Sequence, residues 1–162
     1  MPKAILPLYL GLDFGTSGAR AQVIDINGDV VAHAHCSYDI NQWPSWLHAM
    51  AWLFATLPAP VRHRLAAIAI DGTSSTVLLC DASNTPLLPP QLYNDDLAHE
   101  EAEHIGKFAP LDHNAAAPSA SLAKLLYALK QPHAEAPVYF TDQASWLASM
   151  LTGIPGDRKS VV

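Results

Sequence analysis

The stretch Gly11-Leu12-Asp13-Phe14-Gly15-Thr16-Ser17-Gly18-Ala19-Arg20 holds the residues best placed to do chemistry. An apolar run leads into it, so a strand would deliver the Asp13 carboxylate at its end, facing a cleft. Gly15 and Gly18 permit a tight turn and let an anion approach with no Cβ in the way. Thr16 and Ser17 add hydroxyl donors to the loop N–H groups, and successive N–H groups in such a turn make an anion-binding concavity. Arg20, on the returning strand, is close enough to pair with phosphate oxygens. A carboxylate beside a phosphate cradle calls for a divalent cation, and Mg²⁺ takes one or two carboxylates together with phosphates. This is not a Walker loop, because neither Gly-Lys-Ser/Thr nor a helix follows. The alternative is an ordinary hairpin with a solvated Asp and Arg.

Other constellations carry less. The eight histidines are scattered. His33 and His35 share one face of a strand, where a solvent-facing edge explains them better than a metal pair does. His99 and His104 do not share a helix face. No Gly-x-Ser-x-Gly elbow occurs, so Ser74 and Ser75 are not a hydrolase nucleophile by that test. Trp43, Trp46, Trp52 and Trp146 read as packing, since no basic residues interleave with them.

The elements that must position these residues follow from periodicity. Residues 8–14, 19–26 and 29–36 read as three antiparallel strands, with Asn27-Gly28 as a two-residue hairpin turn. Ser45 to Leu57 reads as a helix, with Trp46, Ala49, Met50, Leu53 and Leu57 on one face, stopped by Pro58 and Pro60. The run at 65–70 suits a strand buried on both faces and parallel to the first. Asp71 would cap its own turn, and residues 76–80 form a further strand. Residues 95–107 read as a mostly solvated helix, and residues 109–118 as a linker. Ser119 to Lys130 forms a helix with Leu122, Leu125, Leu126 and Leu129 inward, capped by Ser119 or Ser121. A short strand at 138–140 precedes a helix capped by Thr141 or Asp142 and ended by Gly153. This order is mixed α/β, with helices covering the sheet.

Composition bounds the function. At 162 residues the chain is about one domain, long enough to bury about 68–70% of its unfolded surface. Half of it is hydrophobic and 15% is charged, which argues against disorder. A net charge of −6 and the lack of any basic run argue against nucleic acid as a partner. No apolar stretch reaches membrane-spanning length, so a membrane role is not expected. Cys36 and Cys80 lie far apart, which fits a reducing cytoplasm better than a disulfide or zinc scaffold.

Gly11–Asp25 resembles the first phosphate motif of the actin-like (ribonuclease-H-like) ATPase superfamily, and more narrowly the N-terminal domain of the FGGY carbohydrate kinases. Four further segments fit in the same order: Ala67–Asp81, Pro89–Asp95, Ser121–Leu126 with its Lys-Leu-Leu, and Thr141–Gly153 with its Leu-Thr-Gly. The wording of Asp71–Thr76 and Leu92–Asp95 is most similar to the D-ribulose/xylulose kinase-like branch. A chaperone-type or acetate-kinase-type relative fits these segments less well.

The resemblance implies an ATP-dependent kinase acting on a pentulose or related polyol. Asp13 would touch Mg²⁺ and the hydroxyl to be phosphorylated, while Gly15, Thr16, Ser17 and Arg20 would hold the phosphates. Ser74, Ser75, Tyr93 and Asp95 would stand at the sugar, where hydroxyls both donate and accept; plain turn chemistry is the alternative for the two serines. The family's general base, its nucleotide-side domain and its glycine motif have no counterpart in these residues. Asp96-Leu97 stands where relatives carry Arg or Lys. The chain therefore reads as the truncated N-terminal domain of such a kinase, inactive alone, and the alternative is a non-catalytic relative that retains only sugar or phosphate binding. An apolar face left by the missing domain would favour self-association.

Overall fold

The computed structural model describes residues 6–110, 113–137 and 139–155, so Val138 of the expected 138–140 strand lies outside the described residues. The chain divides into two compact units. The first holds the described residues up to Ile40 together with Pro44–Gly72; the second holds Asn41–Trp43 and the described residues from Thr73 onward.

The first unit is built on a four-stranded sheet of order β3-β2-β1-β4, with β1 Leu8–Gly15, β2 Gly18–Ile24, β3 Val30–Cys36 and β4 Leu65–Gly72. β1 pairs antiparallel with β2 and parallel with β4, and β2 pairs antiparallel with β3, as expected from sequence. On β1, Leu8, Leu10, Leu12 and Phe14 are all buried. Each contributes about 1.5–3 kcal/mol relative to exposure. That strict alternation turns Tyr9, Gly11 and Asp13 to the opposite face. Helix α1, Trp43–Thr56, buries Trp46, Ala49, Met50 and Leu53, and a four-residue helix α2, Ala59–Arg62, follows.

Two expectations in this unit are corrected. The 65–70 run is not buried on both faces: in β4 only Ile70 is buried and Ile68 is 43% exposed, because β4 is the terminal strand of the described sheet. The β2–β3 connection is wider than an Asn-Gly turn. Asp25 N–H bonds the Asp29 carbonyl, and the Asp25 carboxylate accepts from the N–H groups of Asn27 and Asp29. Of the two expected turn residues, Gly28 alone has positive φ, at 88°.

The second unit pairs β5, Val77–Cys80, antiparallel with β6, Tyr139–Asp142. Helix α3 is His99–Gly106, a 3₁₀ turn spans Asn114–Ala116, helix α4 is Ser121–Lys130 and helix α5 is Gln143–Thr152. Ala98, Ala102 and Ile105 around α3 pack with Ala123 of α4, joined by Ala115 and Ala116. The 109–118 segment is thus part of a core rather than a plain linker, and α3 buries Glu101 as well as its apolar side. Helix α4 turns Ala123, Lys124 and Ala128 inward, while Leu122 and Leu129 are 47% and 48% exposed. No side chain caps α4: its N-cap position is Ala120. Helix α5 is as expected, with the Asp142 carboxylate accepting from Ser145 N–H and Gly153 closing it at φ 68°.

Candidate functional site

In the first unit the phosphate-type motif folds as a β-hairpin whose loop is Thr16-Ser17, since Gly15 and Gly18 are the last paired residues. A loop this short fixes the register, and Asp13 comes to face Arg20 directly. Arg20 Nη1 donates to Asp13 Oδ2 at 3.0 Å, and its Nη2 to Ser17 Oγ at 3.3 Å. The hairpin is braced from beneath: the Tyr38 hydroxyl donates to the Gly15 carbonyl at 2.9 Å, and the Tyr38 ring meets Phe14 edge-on. Thr16 and Ser17 stand exposed at the tip.

The register continues outward. Asp71 of β4 is the partner of Asp13, and His35 of β3 is the partner of Arg20. Asp71, Asp13, Arg20 and His35 therefore form one cross-strand row on a single face of the sheet. Sequence reasoning named all four but set His35 aside as solvent-facing; the β2–β3 register is the signal that recovers it. A hollow of about 360 Å³ beside the hairpin is lined by Ser17, Gly18, Arg20, His35, Cys36 and Ser37, a polar set suited to an anion. Asp71 does cap its own turn, accepting from Gly72 N–H at 2.9 Å.

Among the described residues, no group of three or more His, Cys, Asp and Glu could hold a metal ion. An all-protein cage is thus not what these residues offer. Asp13, with Asp71 beside it, fits a Mg²⁺ that brings phosphate oxygens and water for the rest of its shell. A Cβ on Gly15 would lie 3.7 Å from Asp13 Oδ1, so the glycine leaves room beside that oxygen.

In the second unit Ser74, Ser75 and Tyr93 converge on a hollow of about 610 Å³. Asn114, Ser119 and Ser121 complete its polar lining. Sequence reasoning took Ser119 and Ser121 only as cap candidates and did not single out Asn114, which lies in a segment without periodicity. Asp95 is not among the lining residues: its Oδ2 accepts from Leu92 N–H at 2.7 Å and so holds the turn that carries Tyr93. Thr73 N–H donates to Gln143 Oε1 at 2.9 Å, which anchors the Ser74–Ser75 turn on α5.

Of the shifted groups, Cys36 alone lines one of the two hollows. Burial and the nearby Asp81 push the Cys80 thiol up to about 12, so it is inert. Burial also raises the Cys36 thiol, and both cysteines are free. Burial lowers Lys124 of α4, and the Asp95 charge opposes that shift. No helix among the described residues is long and apolar enough to cross a membrane.

No protein-family profile matches the chain. A xylulose kinase of Staphylococcus xylosus is 28% identical over 108 residues, which are 60% of this chain and 22% of that protein. The structure of a xyloylose kinase from Brucella ovis superposes with a TM-score of 0.75 at 23% identity, covering 88% of this chain and 34% of that one. The xylulose kinase of Bifidobacterium adolescentis gives 0.74 at 14% identity, covering 97% and 36%. The chain thus spans about a fifth of the curated relative it matches and about a third of each structural neighbour. In sequence through the first of these, and in its mixed α/β fold through the other two, the resemblance to the FGGY carbohydrate kinases is borne out.

Proposed function

We propose that these residues form part of an ATP-dependent sugar kinase that transfers the γ-phosphoryl group of ATP to a hydroxyl of a pentulose, D-xylulose or D-ribulose. The observation that carries the reading is the hairpin, where Asp13 and Arg20 face each other beside a loop of two hydroxyl residues. Arg20 and the N–H groups of Thr16 and Ser17 would bind triphosphate oxygens. Asp13 would hold Mg²⁺, which when bound neutralises charge on the transferring group. Arg20 keeps the Asp13 carboxylate oriented until nucleotide arrives, then exchanges one anionic partner for another. Ser74, Ser75 and Tyr93 would orient the sugar through hydroxyls that both donate and accept. We take the compartment to be the cytoplasm, on the two free thiols.

The lining of the hydroxyl-rich hollow supports a second element of the reading, namely binding without turnover by these 162 residues. Among the described residues it is lined by serines, alanines, Asn114, Tyr93 and Leu122, with no carboxylate or imidazole to take the hydroxyl proton. On this reading the described lining residues bind the sugar and do not act as its base. The test is calorimetry and a coupled ADP-release assay on the purified chain. D-xylulose and Mg·ATP should each bind, Asp13→Ala should weaken Mg·ATP at least tenfold with the far-UV spectrum intact, and sugar-dependent ADP release should be absent. Turnover near the ~1–100 per second of ordinary kinases would overturn the division of labour. Failure of wild-type chain to bind either ligand would overturn the kinase reading itself.

A further inference from the structure

Helix α4 carries one side chain that the proposed chemistry leaves without a task. Lys124 is 1% exposed, in a helix where Leu122 and Leu129 stay half in solvent. A lysine that deep is retained only if its ammonium finds acceptors, because an unpaired buried charge is strongly destabilising. Lys124 Nζ donates to the Ser75 carbonyl at 2.9 Å and also to the Leu92 carbonyl. These two carbonyls belong to two separate turns, and each turn delivers side chains to the hydroxyl-lined hollow: Ser74 and Ser75 from one, Tyr93 from the other.

Both turns need an external hold. Ser75 has φ 57°, a left-handed conformation that a non-glycine residue keeps only when its surroundings enforce it. The Leu92 turn is closed by Asp95, whose carboxylate accepts from Leu92 N–H and whose charge reaches Lys124. The buried ammonium, the half-buried Asp95 carboxylate and the two carbonyls therefore form one network. Its products are the relative positions of Ser74, Ser75 and Tyr93.

We propose that Lys124 is a positioning residue for the sugar hollow, tying the Ser74–Ser75 turn to the Leu92–Tyr93 turn so that their hydroxyls meet a polyol in one fixed arrangement. This rests on the reading of that hollow as the sugar site. Lys124 does not touch the ligand; it acts through the two carbonyls. Removing it leaves those acceptors unpaired and frees the strained Ser75 to relax.

The test compares wild type, Lys124→Met and Lys124→Gln as 162-residue chains. In Lys124→Met the amide exchange of Thr76 and Leu92 should accelerate at least tenfold, while amides of the β1–β2 ladder change less than twofold. The dissociation constant for D-xylulose should rise at least tenfold and that for Mg·ATP stay within twofold, a split that general destabilisation would not produce. Lys124→Gln, which keeps two N–H donors on a shorter stem, should fall between. Sugar binding and turn exchange at wild-type values in Lys124→Met overturn the proposal while leaving the sugar site standing. Loss of the fold in both variants also overturns it, since Lys124 would then hold up the core and nothing finer. Wild-type chain that binds no D-xylulose fails the sugar reading first, and the positioning role falls with it.

Discussion

Gly18 has a φ of 143°, and a Cβ built on it would sit 2.8 Å from the Cys36 carbonyl oxygen. No flexible side chain is there to give way, so a larger residue must displace the β2–β3 pairing where the hairpin begins. Gly18→Ala is expected to cost about 1–3 kcal/mol, read as a urea midpoint lower by roughly 1 M. Gly15→Ala meets only ordinary contacts at 3.7 and 3.8 Å and should leave the midpoint within about 0.5 M, the effect of an unstrained substitution. Equal midpoints for the two variants would show that the hairpin does not need its second glycine. Sequence alone could not separate these positions, because both are glycines in one motif and the difference lies in a neighbour from β3. Asp13 opposite Arg20 was more legible, since a two-residue loop admits few registers. The extension of that row to Asp71 and His35 depends on pairings made across the whole sheet.

Helices α3 and α4 are joined by charge as well as by alanine packing. Lys130 Nζ lies 2.5 Å from Glu101 Oε1 and 3.7 Å from Glu100 Oε2, and Glu101 is only 4% exposed. The hydrogen bond from Lys130 holds the Glu101 carboxyl below its usual value of 4.5 and holds Lys130 above 10.5. An acid depressed in the fold stabilises fully above its unfolded value, and that contribution is lost as pH falls through the depressed one. The lysine's share is complete below 10.5 and lost as pH climbs through its raised value. Glu101→Gln should therefore lower the urea midpoint at pH 7 and flatten its decline below pH 4.5; an unchanged acid limb would remove the pair from the stability of this helix couple. The sequence showed α3 as a polar helix, and its buried glutamate was invisible because its partner lies on another element. For α4 the leucine stripe pointed to the wrong face, since small alanines let backbones approach closely and the lysine needed the carbonyls behind it. The β4 run carried the composition of a central strand, but composition does not say how many neighbours a strand will have.

The two units differ in whether they contain a local pairing. In the first, β1 meets β2 across a loop of two residues and β3 follows a few residues later, while β4 joins from further along the chain. The second closes by joining Val77 to Asp142 and Thr73 to Gln143, from opposite ends of the unit. The family resemblance was legible because its five segments are collinear, whatever their spacing in space. The hollow was half legible, because Asn114 and Ser119 reach it from a stretch without periodicity, and Ser121 was read only as a helix cap. A hairpin forms in about 1–10 μs, whereas pairings of high sequence separation must first meet the entropy of a long loop. Pulse-labelled exchange during refolding should accordingly protect the β1–β2 ladder before the β5–β6 pair, and the reverse order would contradict this ranking. During synthesis the consequence is sharper. The turn bearing Thr16 and Ser17 can close once β2 is made, while the turn bearing Ser74 and Ser75 waits for the residue that anchors it, Gln143, so a nascent chain completes its first hollow's hairpin long before the turn that lines its second.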